Sequence, residues 1–384
     1  MKKIIYFIVA NIFSLSILAQ CNTTEEVNNL PLVCTKKVQG SSAPTAEQIK
    51  NLTAIFSSVI EPALKNSKGM RGTWNPIGSS GKITPEKLMK SELSIYLDLL
   101  GCNKEHKVYS IPEAGLRIGF YINDLSLLCD PSIFETEKNN QTIYINNEIN
   151  GSQIYRFKRE KTETEKYEEL TYYSKTDNAK YFLITKSDVP FFIPITVRQG
   201  LEINKRNILY SIEVSNKKSA AIKLLSKEEW IKKEGIKATP GIFTPQKAQE
   251  LNDAGYTGYS EGTKQALATN QFYNDMFQKP LAAIDEFLKT SSSKILDQPV
   301  KGNPFSYYTD VNDLKNQLLI DNDMQSNSYF IINPAYLDSK LPKATPQFIC
   351  IELRKQKEAA VTQKVFKDFE DKLDLEKLKS FLVK

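Results

Sequence analysis

Gly115-Leu116-Arg117-Ile118-Gly119-Phe120-Tyr121-Ile122-Asn123 alternates with a period of two: Leu116, Ile118, Phe120 and Ile122 share one face, and Arg117, Gly119, Tyr121 and Asn123 the other. Successive side chains of a strand point to opposite faces, so this stretch predicts a half-buried strand and not a helix. Downstream, runs 141–149 and 152–158 flank Asn150-Gly151, a pair suited to the tight hairpin turn that demands positive φ at both central positions. Runs 167–175 and 180–186 flank Thr176-Asp177-Asn178-Ala179 in the same manner. An antiparallel sheet of about five strands follows from this part of the chain.

Outward from the sheet the period lengthens. Thr45 and Gln48 have capping-box spacing, and Ile49, Leu52, Ile55, Phe56, Val59 and Ile60 recur every three or four residues until Pro62. Thr84-Pro85 opens a second predicted helix carrying Leu88, Met89, Leu93, Tyr96, Leu97 and Leu100 up to Gly101. Residues 196–235 read as largely helical, with a fresh start at Ser226 and Glu229, and Thr244-Pro245 opens a helix that Gly255 should stop. A further helix spans 263–290, bent at Pro280; strands at 328–332 and 347–354 and a helix over 362–382 close the chain. The expected class is α+β: N-terminal helices, an antiparallel sheet, then a helix-rich C-terminal lobe with a few strands. The aperiodic junction 235–243, with Pro240, divides an α+β lobe over 45–235 from a helix-rich mixed lobe over 236–384, the alternative being one domain over both.

The N-terminus speaks to compartment. Lys2 and Lys3 precede an apolar run from Ile4 to Leu18, and Ala19 offers a small residue for cleavage, the pattern of a secretory signal peptide over 1–19. Gln20 would then begin the mature chain, with 20–44 as a flexible polar leader and no membrane span left after signal removal. Leu18-Ala19-Gln20-Cys21 resembles a bacterial lipobox, but Gln20 stands where that pattern needs a small residue, so cleavage after Ala19 is expected over lipid attachment at Cys21. Loss of Lys2 and Lys3 reduces 51 basic residues to 49 against 45 acids, a formal +4, interspersed and without an Arg-rich block. Nucleic acid is therefore not an expected partner. In an exported chain the five cysteines permit disulfides, expected between Cys102 and Cys129 and between Cys21 and Cys34, with Cys350 left as a buried strand thiol.

Most familiar chemistry fails on inspection of the residues. His106 is the only histidine and sits in the charged turn Asn103-Lys104-Glu105-His106-Lys107, which leaves no base for a serine or cysteine triad and no zinc ligand set. Gly78-Ser79-Ser80-Gly81-Lys82 departs from a phosphate-binding loop at Pro76 and Ile83. Asp321, Asp323 and Gln325 have the alternate spacing of a calcium loop, but Ser326 and Ile332 occupy the positions of its turn glycine and bidentate acid. No catalytic residue, metal or cofactor is expected. Two polar-aromatic stretches are the candidate ligand-binding segments: Gly255 to Gly262, with Tyr256 and Tyr259, and Arg71-Gly72-Thr73-Trp74-Asn75, with Arg71 and Trp74. Their rings offer flat faces for a sugar or peptide, or fold back onto their own lobe.

The signal ending in Ala-Gln, the Asn/Lys/Tyr-rich composition, and the phrases Phe191-Phe192-Ile193-Pro194-Ile195-Thr196 and Pro346-Gln347-Phe348-Ile349 resemble uncharacterised exported proteins of Bacteroidetes-type bacteria. That resemblance implies export and brings no activity or site residue with it. The expected function is an exported protein that binds a ligand or an envelope protein without chemistry. The alternative is a hydrolase using a carboxylate pair on a cell-wall or glycan substrate.

Overall fold

The computed structural model describes residues 20–37, 44–83, 87–138, 141–158, 161–164, 167–174, 179–185, 189–319, 329–355 and 359–382. The expected signal peptide, the Thr84-Pro85 cap and the Asp321–Gln325 loop lie outside them. The chain begins with a short helix α1 (Thr24–Asn28), a strand β1 (Val33–Lys36) and helix α2 (Ala46–Ile55), which continues through one π-turn (Phe56–Ile60) into α3 (Glu61–Leu64). Thr45 and Gln48 form the capping box that their spacing predicts, and Pro62 sits in the first turn of α3 instead of ending the helix. Strands β2 (Met70–Ile83), β3 (Met89–Cys102) and β4 (Val108–Ile122) follow as a long meander.

β3 corrects the helix expected over 84–101. Leu93, Ile95 and Leu97 are fully buried with a period of two, and the strand is paired on both sides, by β2 and β4. Its apolar residues satisfy both periods, and burial between two neighbours selects the extended form.

Beyond β4 come β5 (Cys129–Pro131), β6 (Ile133–Lys138), β7 (Gln141–Asn146), β8 (Glu148–Ile149), β9 (Ser152–Phe157), β10 (Lys161–Thr164), β11 (Tyr167–Ser174), β12 (Ala179–Ile184) and β13 (Phe192–Pro194). Asn150 and Gly151 both take positive φ, 51° and 79°, closing the β8–β9 hairpin as predicted. These strands do not form one sheet. An eight-stranded sheet runs β1-β2-β3-β4-β15-β12-β11-β10, where β15 is Ile349–Lys355; a second runs β13-β14-β9-β5, where β14 is Tyr329–Ile332; β6 and β7 pair as a separate ribbon. Among the described residues the strand pairings are antiparallel except for β1 on β2.

The fold class is α+β. Helices α4 (Val197–Ala221), α5 (Lys227–Glu234), α6 (Pro245–Thr290), α7 (Ser293–Leu296) and α8 (Val311–Leu319) lie between β13 and β14, and α9 (Ala360–Lys372) and α10 (Leu375–Lys379) end the chain. β15 lies between β4 and β12, so residues from both sides of the expected 235/236 division share one sheet. One face of that sheet, with Leu93, Ile118, Phe120 and Ile351, packs against α2, the π-turn, α3 and α9. The opposite face, with Tyr121, Tyr181 and Cys350 and with Phe348 just before β15, meets the second sheet through Tyr155, Phe157 and Phe330. A third apolar cluster joins α4, α6 and α8.

Residues 20–37 are part of the fold and not the free leader expected over 20–44. Cys21 is bonded to Cys102, and Val27 is fully buried beside Leu100 and Val108. β1 satisfies the edge of β2, which would otherwise present unpaired backbone groups. The observed bond corrects both expected pairings, Cys102 with Cys129 and Cys21 with Cys34. Cys102 ends β3 beside the N-terminal segment, whereas Cys129 lies in the second sheet and Cys34 against Gly72 on β2. The Cys21 sulfur that a lipid thioether would use is engaged in this bond.

Candidate functional site

β4 ends at Ile122, and Asn123 then adopts a left-handed φ of 55° in full burial. Its side chain accepts from the Gln347 N–H at 2.9 Å and donates to the Thr345 carbonyl at 2.9 Å, tying the exit of β4 to the entry of β15. Asn tolerates this conformation because its short amide makes local hydrogen bonds. The tie fixes the next residue, Asp124, whose Oδ1 accepts from the Ser126 N–H at 2.9 Å and from Lys90 Nζ at 2.8 Å. Across the opening, Lys158 Nζ reaches Asp130 Oδ1 at 3.0 Å.

Between these two ion pairs lies a cleft of ≈ 140 Å³, floored by Leu125, Cys129, Tyr155, Ile332 and Phe348. Each floor residue is buried, so the floor is apolar while the rim carries two cations and two carboxylates. Such a cleft is smaller than a typical drug-sized pocket, and its shape suits a compact ligand that bears both charges around an apolar body. Cys129 brings no nucleophile: burial, with Cys350 adding to it, holds its thiol well above the ordinary value. Burial raises the Cys350 thiol in the same direction. Cys34, pushed up to about 11 by burial and by Glu61, is likewise a neutral thiol.

A second polar group sits farther along the same face of the large sheet. Glu352, 2% exposed, meets Arg354 Nη2 at 2.9 Å and Arg117 Nε at 3.5 Å, and the Arg117–Arg354 register pair flanks it across β4 and β15. Arg117 donates to the Tyr121 hydroxyl at 3.0 Å and Arg354 to the Tyr181 hydroxyl at 3.1 Å. Burial, reinforced by Glu92 and Glu352, pushes the Tyr121 phenol far up, so it remains protonated. Glu92 stands 3.7 Å from Arg117. The acids here are ion-paired to arginines, and the inner one is shielded from solvent.

The four sequence-derived ligand residues lie elsewhere. Gly255 to Gly262 is not a loop but part of α6, which continues unbroken past Gly255 and through Pro280 to Thr290. Tyr256 and Tyr259 pack on Trp230 of α5 with centroids 6.2 Å away, and Tyr259 donates to the Lys223 carbonyl at 2.6 Å. Arg71 and Trp74 lie on β2, also not in a loop; Arg71 is exposed, and Trp74 is 7% exposed, stacked on Phe56 at 4.3 Å beneath Lys36. Three of the four side chains are thus occupied within the fold. Lys90, Asp124, Asp130 and Lys158 carry no joint signal in the sequence, because separate strand ends bring them together. Only the local turn at Asp124-Leu125-Ser126 is readable from its residue types.

Among the described residues, no group of three His, Cys, Asp or Glu side chains is placed to hold a metal ion, and no helix is long and apolar enough to cross a membrane. No family model, curated protein or solved structure matches this chain.

Proposed function

We propose that the chain is an exported, non-enzymatic binding protein whose cleft takes a small zwitterionic ligand, an amino acid or the end of a peptide. The observation that carries this reading is the pair of opposed Lys–Asp bridges, Lys90–Asp124 and Lys158–Asp130, over an apolar floor. Each lysine can turn to a carboxylate and each aspartate to an ammonium, while an aliphatic or aromatic body displaces water from Leu125 and Phe348. Export is supported by the basic-apolar-Ala19 pattern of residues 1–19 and is compatible with the Cys21–Cys102 bond. The carboxylate-pair hydrolase has less in its favour: Glu92 and Glu352 on the large sheet are held by Arg117 and Arg354, and a substrate bond has no path to Glu352 at 2% exposure.

The test is the melting temperature of residues 20–384 against amino acids, dipeptides, glycans and cell-wall fragments, with mass spectrometry of each compound afterwards. A native-state ligand at one hundred times its Kd adds about 2.7 kcal/mol. The expected result is a saturable rise with zwitterionic compounds, lost in Lys158→Ala and Asp130→Ala, with the compound recovered intact. Conversion of any compound, or a rise confined to glycans, would overturn the reading.

A further inference from the structure

We infer that a second copy of this chain docks along the outer half of α6, antiparallel to the first, in an isologous dimer. The inference does not depend on the cleft. At 46 residues α6 is about 69 Å long. Its C-terminal portion buries Phe277, Pro280, Ala283, Ile284 and Phe287 against α4 and α8. On a helical wheel the same stripe continues towards the N-terminus through Met276, Tyr273 and Phe272, and then through the short Thr269 and Gly262, all within about 100° of arc. Every one of these five is exposed, with Phe272 at 64%, Tyr273 at 47% and Met276 at 41%. The stripe is therefore covered by the body at one end and bare at the other, where three large apolar side chains stand next to small residues.

α4 does not cover the bare part, because it approaches from another side. Ser215 Oγ donates to the Asn270 carbonyl at 3.1 Å, and Asn274 donates to Asn216 Oδ1 at 2.6 Å. Asn270 and Asn274 lie more than about 100° around the helix from the middle of the bare stripe. A solvated cluster of large apolar side chains on one helix face marks an interaction surface.

The charges beside the stripe specify the occupant. On its open flank stand Glu261 and Lys279, both exposed and each about 70° around the helix from the middle of the stripe. A two-fold axis at the height of residue 270 places Glu261 of one copy against Lys279 of the other, each nine residues from the axis. A C2 contact requires this self-complementarity, since each residue i that meets j is repeated as j meeting i. Sizes match as well: Phe272 falls opposite Ala268 of the other copy, with the short Thr269 beside it, so a large ring meets small side chains on both halves of the contact. A parallel arrangement in register would place Glu261 against Glu261 and Lys279 against Lys279.

The experiment is sedimentation velocity of residues 20–384 across micromolar concentrations, with the disulfide intact, for the wild type, Phe272→Ser/Met276→Ser, Glu261→Lys, and the swap Glu261→Lys/Lys279→Glu. The changed side chains are exposed, so melting temperatures should match across the set and certify the fold. The expected result is a concentration-dependent wild-type dimer, monomer in the apolar double variant, a dimer weakened at least about tenfold by Glu261→Lys, and recovery in the swap. A wild type that stays monomeric, as it would if a different protein covers the stripe, overturns the inference. So does a dimer indifferent to Phe272, Met276 and the charge reversal.

Discussion

Glu352 shows how a single side chain sets the chemistry of a sheet face. Arg117 and Arg354 are register partners on adjacent strands, and two like charges directly opposite on one face repel. Glu352, two residues before Arg354 and almost fully buried, is the anion that makes their proximity tolerable. Replacing it by Gln removes the charge while keeping the shape, leaving the two guanidinium groups facing each other with Glu92 still 3.7 Å from Arg117. Breaking a fully buried ion pair from one side costs about 3–5 kcal/mol, and with Arg117 and Arg354 30% and 37% exposed the loss here is smaller, about 1–3 kcal/mol. Glu352→Gln should therefore lower the urea midpoint sharply with little change in slope, and a loss under about 1 kcal/mol would mean that Glu92 or solvent already compensates the arginines. Arg117 was visible in the sequence as the polar half of an alternating strand. Its partner was not, because Glu352 lies 235 residues further along the chain.

At the scale of elements, the termini obeyed local chemistry and the interiors did not always. Thr196 and Ser226 each accept from the backbone N–H three residues on, and Gln199 and Glu229 reciprocate. The two boxes should nonetheless behave differently. α4 buries Val197, Leu201 and Ile208 in the third cluster, so Thr196→Ala should cost about 1 kcal/mol of global stability in chemical denaturation. α5 has no buried residue, so Ser226→Ala should speed amide exchange within 227–234 while leaving the global midpoint in place. Equal global effects from both would contradict the view that α5 opens on its own. The same contrast explains the misread elements. Gly255 looked like a stop and was overridden, since its missing side chain lets the Trp230 ring approach; a Cβ there would meet that ring at 2.6 Å. β3 was misread because Leu93, Leu97 and Leu100 fit a helical period as well as a strand, and only pairing with β2 and β4 breaks the tie.

Across the whole molecule, the Cys21–Cys102 bond joins positions 81 residues apart and fastens the N-terminal segment to the end of β3. The chain-entropy account gives a closed loop of this size about 4–5 kcal/mol, gained by restricting the unfolded state. Cys21→Ser/Cys102→Ser should lower the melting temperature and expose 20–37 to proteolysis, whereas Cys129→Ser should leave that segment protected; cleavage sites read by mass spectrometry distinguish the two. By itself, the sequence determined the α+β class, the caps at Thr45 and Ser226, the Asn150-Gly151 turn and the alternation in β4. Each depends on residues within a few positions of one another, where φ preferences, side-chain capping and hydrophobic period act directly. The tertiary structure alone decided which cysteines meet, that β15 enters the sheet between β4 and β12, and that Lys90, Asp124, Asp130 and Lys158 surround one cleft. Those are contacts between distant segments, chosen by burial of apolar surface and satisfaction of strand edges over the whole chain, and no local pattern encodes them.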